Sequence, residues 1–357
     1  MNKKNSVMYM IIRPIEPYIL DVFHICAIPS GFEARTRWKK KWLSELAGNS
    51  KPEECENVLV IVHNQENDTY YPIRWGKFKK VEIVGGIYKF DFMVTDFIKL
   101  SSIDTYSDDQ IKKFSDYFKI KNSTFIGKDL PIYERKNVII GDDYNHIDTF
   151  FSKDNQDELE SWGNVTKTLS KIKELENKEF IKIVDCRTLN GKAVLIEDGK
   201  YNLESNEIYE LRILQHVYDS SQPMNVTQHK LNLNSPKEHI NVLKPSAVIV
   251  GKYDYVELKF KTLSFNKREN SYLAINTDNS DIYNCYTIEL PTLITPVSKL
   301  RTIICLVLSI VFAIILIWGS VTHCVSSTII ELLRIALIVT VMSSSDAIKY
   351  LITMSFK

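Results

Sequence analysis

TIICLVLSIVFAIILIWGSVT, residues 302–322, is a run of twenty-one residues without a charge. A hydrocarbon core about 30 Å thick needs roughly 20 apolar residues at about 1.5 Å each, so this run predicts a membrane-spanning helix. A second apolar stretch starts at Ile329 and reaches about Thr353. Lys299 and Arg301 precede the first run, whereas the connection His323 to Thr328 has no Lys or Arg. By the positive-inside rule both termini and the long N-terminal part face the cytoplasm of an inner membrane. The expectation is a multi-domain, multi-pass membrane protein ending in a two-helix transmembrane hairpin at 302–322 and 329–353, within 297–357.

On one helix from Ile329, the residues Glu331, Arg334, Met342, Ser345, Asp346, Lys349 and Thr353 fall along one side. Only Ile335 to Ser345 is free of charge, eleven residues, too few to cross alone. Crossing would put Glu331 and Arg334 at one interface and Asp346 and Lys349 at the other. These either pair with each other at i, i+3, as in a plain anchor, or form a polar stripe (Glu331, Arg334, Ser345, Asp346, Lys349) that meets another copy or water. The second reading predicts a homo-oligomer in contact with membrane lipids.

Upstream, the chain reads as globular. It has 357 residues, 45 basic against 44 acidic, for a formal charge of +1. That balance gives no global pull toward nucleic acid or an acidic partner. The six cysteines are scattered without paired spacing, which points to a reducing compartment and against a disulfide framework or zinc site. MNKKNSVMYMIIRPIEPYIL at the start is interrupted by Arg13, Pro14, Glu16 and Pro17, which argues against a signal peptide.

Residues 1–148 predict an α+β or small β-barrel-like domain. Ser30 and Glu33 form a capping box, Gly48 a stop, and Trp38, Trp42 and Leu46 recur at i, i+4, i+8, so a helix is expected over 30–47. Val58 to Val62 is a strand buried on both faces. Phe78–Val84 and Ile87–Thr95 form a hairpin across Gly85-Gly86, with Tyr88, Phe90, Phe92 and Val94 facing the core. A capped helix over 107–120 and a strand over 137–140 complete the domain. A helical linker (149–178) leads to an all-β sandwich (179–296), in which Val256, Leu258 and Phe260 alternate with Glu257, Lys259 and Lys261.

The candidate contact site is the expected basic helix, with Arg35, Arg37, Trp38, Lys39, Lys40, Lys41 and Trp42. At helical spacing Arg35 and Lys39 fall inside the apolar stripe, which suits an anionic leaflet or a phosphate-bearing ligand. The plain alternative is a packed helix with snorkelling cations. A second segment, Arg74, Trp75, Lys77, Phe78, Lys79 and Lys80, interleaves cations with aromatics as a nucleic-acid or nucleotide site would; solvated lysines on a sheet explain it equally. No catalytic motif, cofactor loop or metal-ligand spacing is present, and the pairs Asp108-Asp109 and Asp142-Asp143 read as caps and turns.

Two β-rich domains followed by a two-span hairpin look like the membrane effectors of bacterial defence systems, an analogy of architecture. It implies a cytoplasmic sensor, alone or with a companion protein, whose hairpins assemble and perturb the membrane on a trigger. A constitutively anchored scaffold or binding module is the alternative, and an enzyme without a legible motif the third.

Overall fold

The computed structural model describes residues 3–48, 52–151, 155–176, 178–217, 229–235, 238–249, 255–263, 267–278 and 287–296, with positions 307, 310, 311 and 314. The architecture is mostly β. The first sheet holds β1 (Val7–Ile12), β2 (Glu33–Lys39), β3 (Asn57–Asn64), β4 (Thr69–Val84), β5 (Ile87–Phe97) and β6 (Val138–Gly141). Its order is β2-β5-β4-β3-β1-β6, with β1 and β3 parallel. Both β1 and β3 are buried along their whole length, as continuous apolar runs in a covered sheet must be.

The sheet curls until its two ends meet. Immediately after β2, Asn137 N donates to Trp42 O at 2.8 Å and Ser44 N to Val138 O at 2.9 Å, so the chain leaving β2 lies beside β6. The Asp104–Lys121 helix covers one side, setting Phe118 edge-on to Tyr9 at 5.0 Å and tilted against Tyr70 at 5.1 Å. The helix α1 (Ile19–Ala27) covers another with Val22, Phe23 and Cys26.

Where a helix was expected over 30–47, the chain forms a strand and a short 3-10 turn (Lys40–Trp42), and only its end, Glu45–Gly48, is α-helical. Phe32, Ala34, Thr36 and Trp38 are buried while Arg35, Arg37 and Lys39 point out, a period of two. The tryptophans at i, i+4 satisfy both periods, and the small residues Ala34 and Thr36 hid the shorter one. Ser30 does not cap: its hydroxyl donates to Thr95 O at 2.8 Å.

The second unit packs two sheets. One has the order β12-β14-β10-β7 and the other β13-β11-β15-β16-β9-β8. In chain order these are β7 (Glu179–Thr188), β8 (Ile196–Glu197), β9 (Lys200–Glu204), β10 (Ile208–Val217), β11 (His229–Asn234), β12 (Ile240–Lys244), β13 (Ser246–Ile249), β14 (Val256–Thr262), β15 (Glu269–Asp278) and β16 (Thr287–Thr295). Val256, Leu258 and Phe260 meet Tyr209, Leu211, Leu273, Ile275, Ile288 and Leu290 in one buried layer.

The two units share a core. Phe23 of α1 lies 5.3 Å from Phe180 of β7, and Phe32 lies edge-on to Tyr201 at 4.8 Å. A Cβ at Gly199 would stand 2.9 Å from Glu33 N, so the β8–β9 turn touches the start of β2 directly. The Glu158–Leu169 helix, which falls in the expected helical linker, buries Trp162, Val165 and Leu169.

The transmembrane expectation is corrected. Among the described residues no helix is long and apolar enough to cross a membrane; the longest described helix, Asp104–Lys121, has only a narrow buried face. The stretches 302–322 and 329–353 lie outside the described residues except for Val307, Ile310, Val311 and Ile314. The stripe of Glu331, Arg334, Ser345, Asp346 and Lys349 lies wholly outside them. An uncharged run of sufficient length permits a span without establishing one.

Candidate functional site

The strand β2 brings the two basic segments of the sequence together on one outer face. In register, Arg35 opposes Asp91, Arg37 opposes Lys89, and Lys39 opposes Ile87. Across the next pairing, Lys80 opposes Asp91, Glu82 opposes Lys89, and Val84 opposes Ile87. Directly opposed residues share a face, so these form three successive rows across β2, β5 and β4.

The first row is neutralised. Asp91 is completely buried and receives Arg35 through Nε at 2.5 Å and Nη2 at 2.7 Å, the bidentate geometry of a strong pair. Lys80 adds a contact at 3.7 Å to Asp91 and a closer one, 2.5 Å, to Glu82. Lys79 pairs with Glu33 at 3.5 Å.

The second row is not neutralised. Arg37 and Lys89 face each other, and neither forms an ion pair among the described residues. Glu82, the other neighbour of Lys89, is turned to Lys80. Asp21 feels Arg37 only at longer range: burial pushes its carboxyl up to about 6, with Arg37 pulling the other way. Like charges directly opposite are unfavourable in a sheet. Lys39, in the third row, and Lys40 are exposed and unpaired among the described residues, while Lys41 sits over the Trp42 ring at 4.5 Å. Trp38 is buried and stacks on Tyr18 at 5.2 Å, and Trp42 is half-buried with Arg13 over it. Both tryptophans are therefore packing residues, and the cations are the surface.

The segment Arg74 to Lys80 does not form a stacking groove. Trp75 packs edge-on to Tyr144 at 5.0 Å, and Lys77 binds Asn57 Oδ1 at 2.8 Å. Arg74 is fully buried. It donates to Ile25 O and Ile28 O, both at 2.7 Å, to Thr95 O at 3.0 Å, and reaches Glu158 Oε1 at 3.4 Å. Lys182 of β7, also buried, donates to Ile28 O at 3.0 Å and to the same Glu158 oxygen at 2.7 Å. Burial, then Arg74, pull the Lys182 ammonium down to about 7. Burial raises the Glu158 carboxyl, but Lys182 and Arg74 outweigh it and hold it below the usual range. This charged junction ties the barrel to the sandwich. Sequence alone does not reveal it, because its members lie far apart in the chain.

The β4–β5 hairpin turns at Gly85-Gly86 as its sequence indicates, but the apolar character of its tip is not read there. Ile83, Val84 and Ile87 are 62%, 53% and 38% exposed around Gly85 and Gly86, which have φ of +58° and +76°. Two adjacent apolar residues beside a turn normally built of polar ones were the available signal.

The remaining acidic pairs are structural. Asp143 is buried and accepts from Tyr9 and, at 3.2 Å, from Tyr117; Asp108 and Asp109 pair with Lys171 and Lys113. Among the described residues no cluster of three His, Cys, Asp or Glu side chains is placed to hold a metal.

No known protein family matches the chain, and no curated protein does. Among solved structures, the CsuC–CsuE chaperone–tip adhesion subunit complex of Acinetobacter baumannii aligns at 12% identity and TM-score 0.21, covering 27% of this chain and 53% of that one. A conjugate transposon protein of Bacteroides vulgatus aligns at 12% identity and TM-score 0.21, over 33% of this chain and 85% of that one. A PapD-like domain of human CEP192 aligns at 9% identity and TM-score 0.23, over 34% and 87%. The chain thus spans about half the length of the first of these. Superpositions this partial carry no argument about function. Nothing in them supports the defence-effector analogy, which is withdrawn with the hairpin it rested on.

Proposed function

We propose that the protein is a binding module that engages an anionic surface through the outer face of β2, β5 and β4. The observation that supports this most is the opposed, unpaired couple Arg37 and Lys89, flanked by exposed Lys39. Two cations held side by side repel by a fraction of a kcal/mol up to about 1 kcal/mol in a sheet, and an external anion relieves that repulsion. The junction of buried Arg74 and Lys182 on partly exposed Glu158 links this barrel to the sandwich, so whatever the barrel docks on also positions the second unit. This keeps the scaffold or sensor reading of the chain and assigns it no chemistry.

Vesicles test it. The full chain should associate with phosphatidylserine-containing vesicles more strongly than with pure phosphatidylcholine, and added salt should erase the difference, since exposed charges are screened within about 8–10 Å at physiological ionic strength. Equal association with both vesicle types at low salt would contradict the reading.

A further inference from the structure

Beyond Lys77, β4 has lost its pairing with β3 and continues only against β5. The distal hairpin therefore projects from the barrel, flanked by β2 as far as the Lys39–Ile87 pair. A projecting turn is expected to be polar. Here it carries Ile83, Val84 and Ile87, all exposed, around two glycines that offer no polar side chain. Behind the tip stand Tyr88 and, across the register from it, Trp38 with Tyr18 stacked on its ring.

The spacing of charge behind this tip is informative. Lys89 lies three residues beyond Gly86, about 10 Å along a strand at roughly 3.3 Å per residue, with Arg37 opposite it and Lys39 one row nearer the tip. An apolar element seated at a bilayer interface reaches about 5–10 Å into the headgroup and acyl boundary. Aromatic rings favour the interface itself, and cations favour the lipid phosphates above it. Along the hairpin the order is apolar tip, then Tyr88, then Arg37 and Lys89 with Glu82 beside them, the order of those layers; Lys39 alone stands level with Ile87, and its long stem can snorkel back to the phosphates. A second copy fits the tip poorly, because tip-to-tip contact would press together the Lys39 side chains that stand level with Ile87.

Resting on the proposed anionic-surface reading, we propose that the β4–β5 tip is a lipid-insertion element: Ile83, Val84 and Ile87 enter the headgroup and acyl boundary of an anionic bilayer while Arg37, Lys39 and Lys89 bind lipid phosphates. Each cation is then expected to strengthen binding about fivefold, from about 1 kcal/mol per surface Lys or Arg.

The test uses the full chain with Cys285, Cys305 and Cys324 replaced by Ser. Cys26, Cys55 and Cys186 are buried and do not compete for a label. A polarity-sensitive fluorophore on Val84→Cys should shift to the blue on phosphatidylserine-containing vesicles and be quenched by brominated acyl chains. The same fluorophore on Lys112→Cys, an exposed position on the Asp104–Lys121 helix, should report water throughout. Ile83→Ser with Ile87→Ser should weaken binding on the order of tenfold. A Val84 label that stays aqueous at saturating vesicles overturns insertion. If charge reversal of Arg37, Lys39 and Lys89 still abolishes salt-sensitive binding in that case, the anionic-face reading stands without insertion. If the unsubstituted chain shows no preference for anionic vesicles, both fall.

Discussion

Arg74 and Lys182 come from different units and converge on one atom: Glu158 Oε1 lies 3.4 Å from Arg74 Nη2 and 2.7 Å from Lys182 Nζ. Both cations are buried, whereas the Glu158 side chain is 40% exposed. Removing the carboxylate leaves two buried cations to repel each other. Breaking a fully buried pair costs about 3–5 kcal/mol, and the exposure of Glu158 brings the expectation to about 2–3 kcal/mol. Glu158→Gln should therefore lower the urea midpoint without changing the slope.

Lys182 also sets a pH dependence. Its folded value, about 7, lies below the ordinary 10.5, so between these values the unfolded chain binds the extra proton. Stability should then rise as pH increases from about 7 toward 10.5, and the rise should be absent below about 7. Thermal melts of the unsubstituted chain and of Lys182→Met check this. Identical slopes for both would show that Lys182 is not the titrating group.

The alternation in β2 makes a contrast between neighbours. Trp38 is 3% exposed and stacked on Tyr18, whereas Arg37 faces out. Trp38→Ala should cost about 3–5 kcal/mol, and Arg37→Ala should stay within about 0.5 kcal/mol. Denaturant titration of both variants separates them.

Gly76 is a packing glycine. A Cβ there would meet Met93 O at 2.8 Å and Phe92 Cδ2 at 3.0 Å, backbone and core that have little room to move. Gly76→Ala should destabilise by about 1–3 kcal/mol, read as a lower melting temperature.

Much of the sheet structure was legible in sequence because alternation and glycine turns are local signals. Phe90, Phe92 and Val94 face the core as their spacing indicated, Gly85-Gly86 turns the hairpin, and Val256, Leu258 and Phe260 line the sandwich. The stretch 30–47 misled because Trp38 and Trp42 fit two periods at once and Ser30 with Glu33 imitates a cap. The parallel pairing of β1 with β3 and the convergence of Arg74, Glu158 and Lys182 are long-range facts that no window of sequence contains. Lys89 belongs to neither basic segment, and it comes to face Arg37 only through the register of β2 on β5.

The central claim is that one face of the barrel, and not net charge, recognises an anionic surface. Its most direct measurement compares two triple charge reversals of the full chain that alter net charge equally: Arg37, Lys39 and Lys89 to Glu, and Lys112, Lys121 and Lys128 to Glu on other surfaces. Binding to phosphatidylserine-containing vesicles should fall by about two orders of magnitude for the first, from about 1 kcal/mol per lost cation, and change only modestly for the second. Equal losses in the two variants would contradict the account.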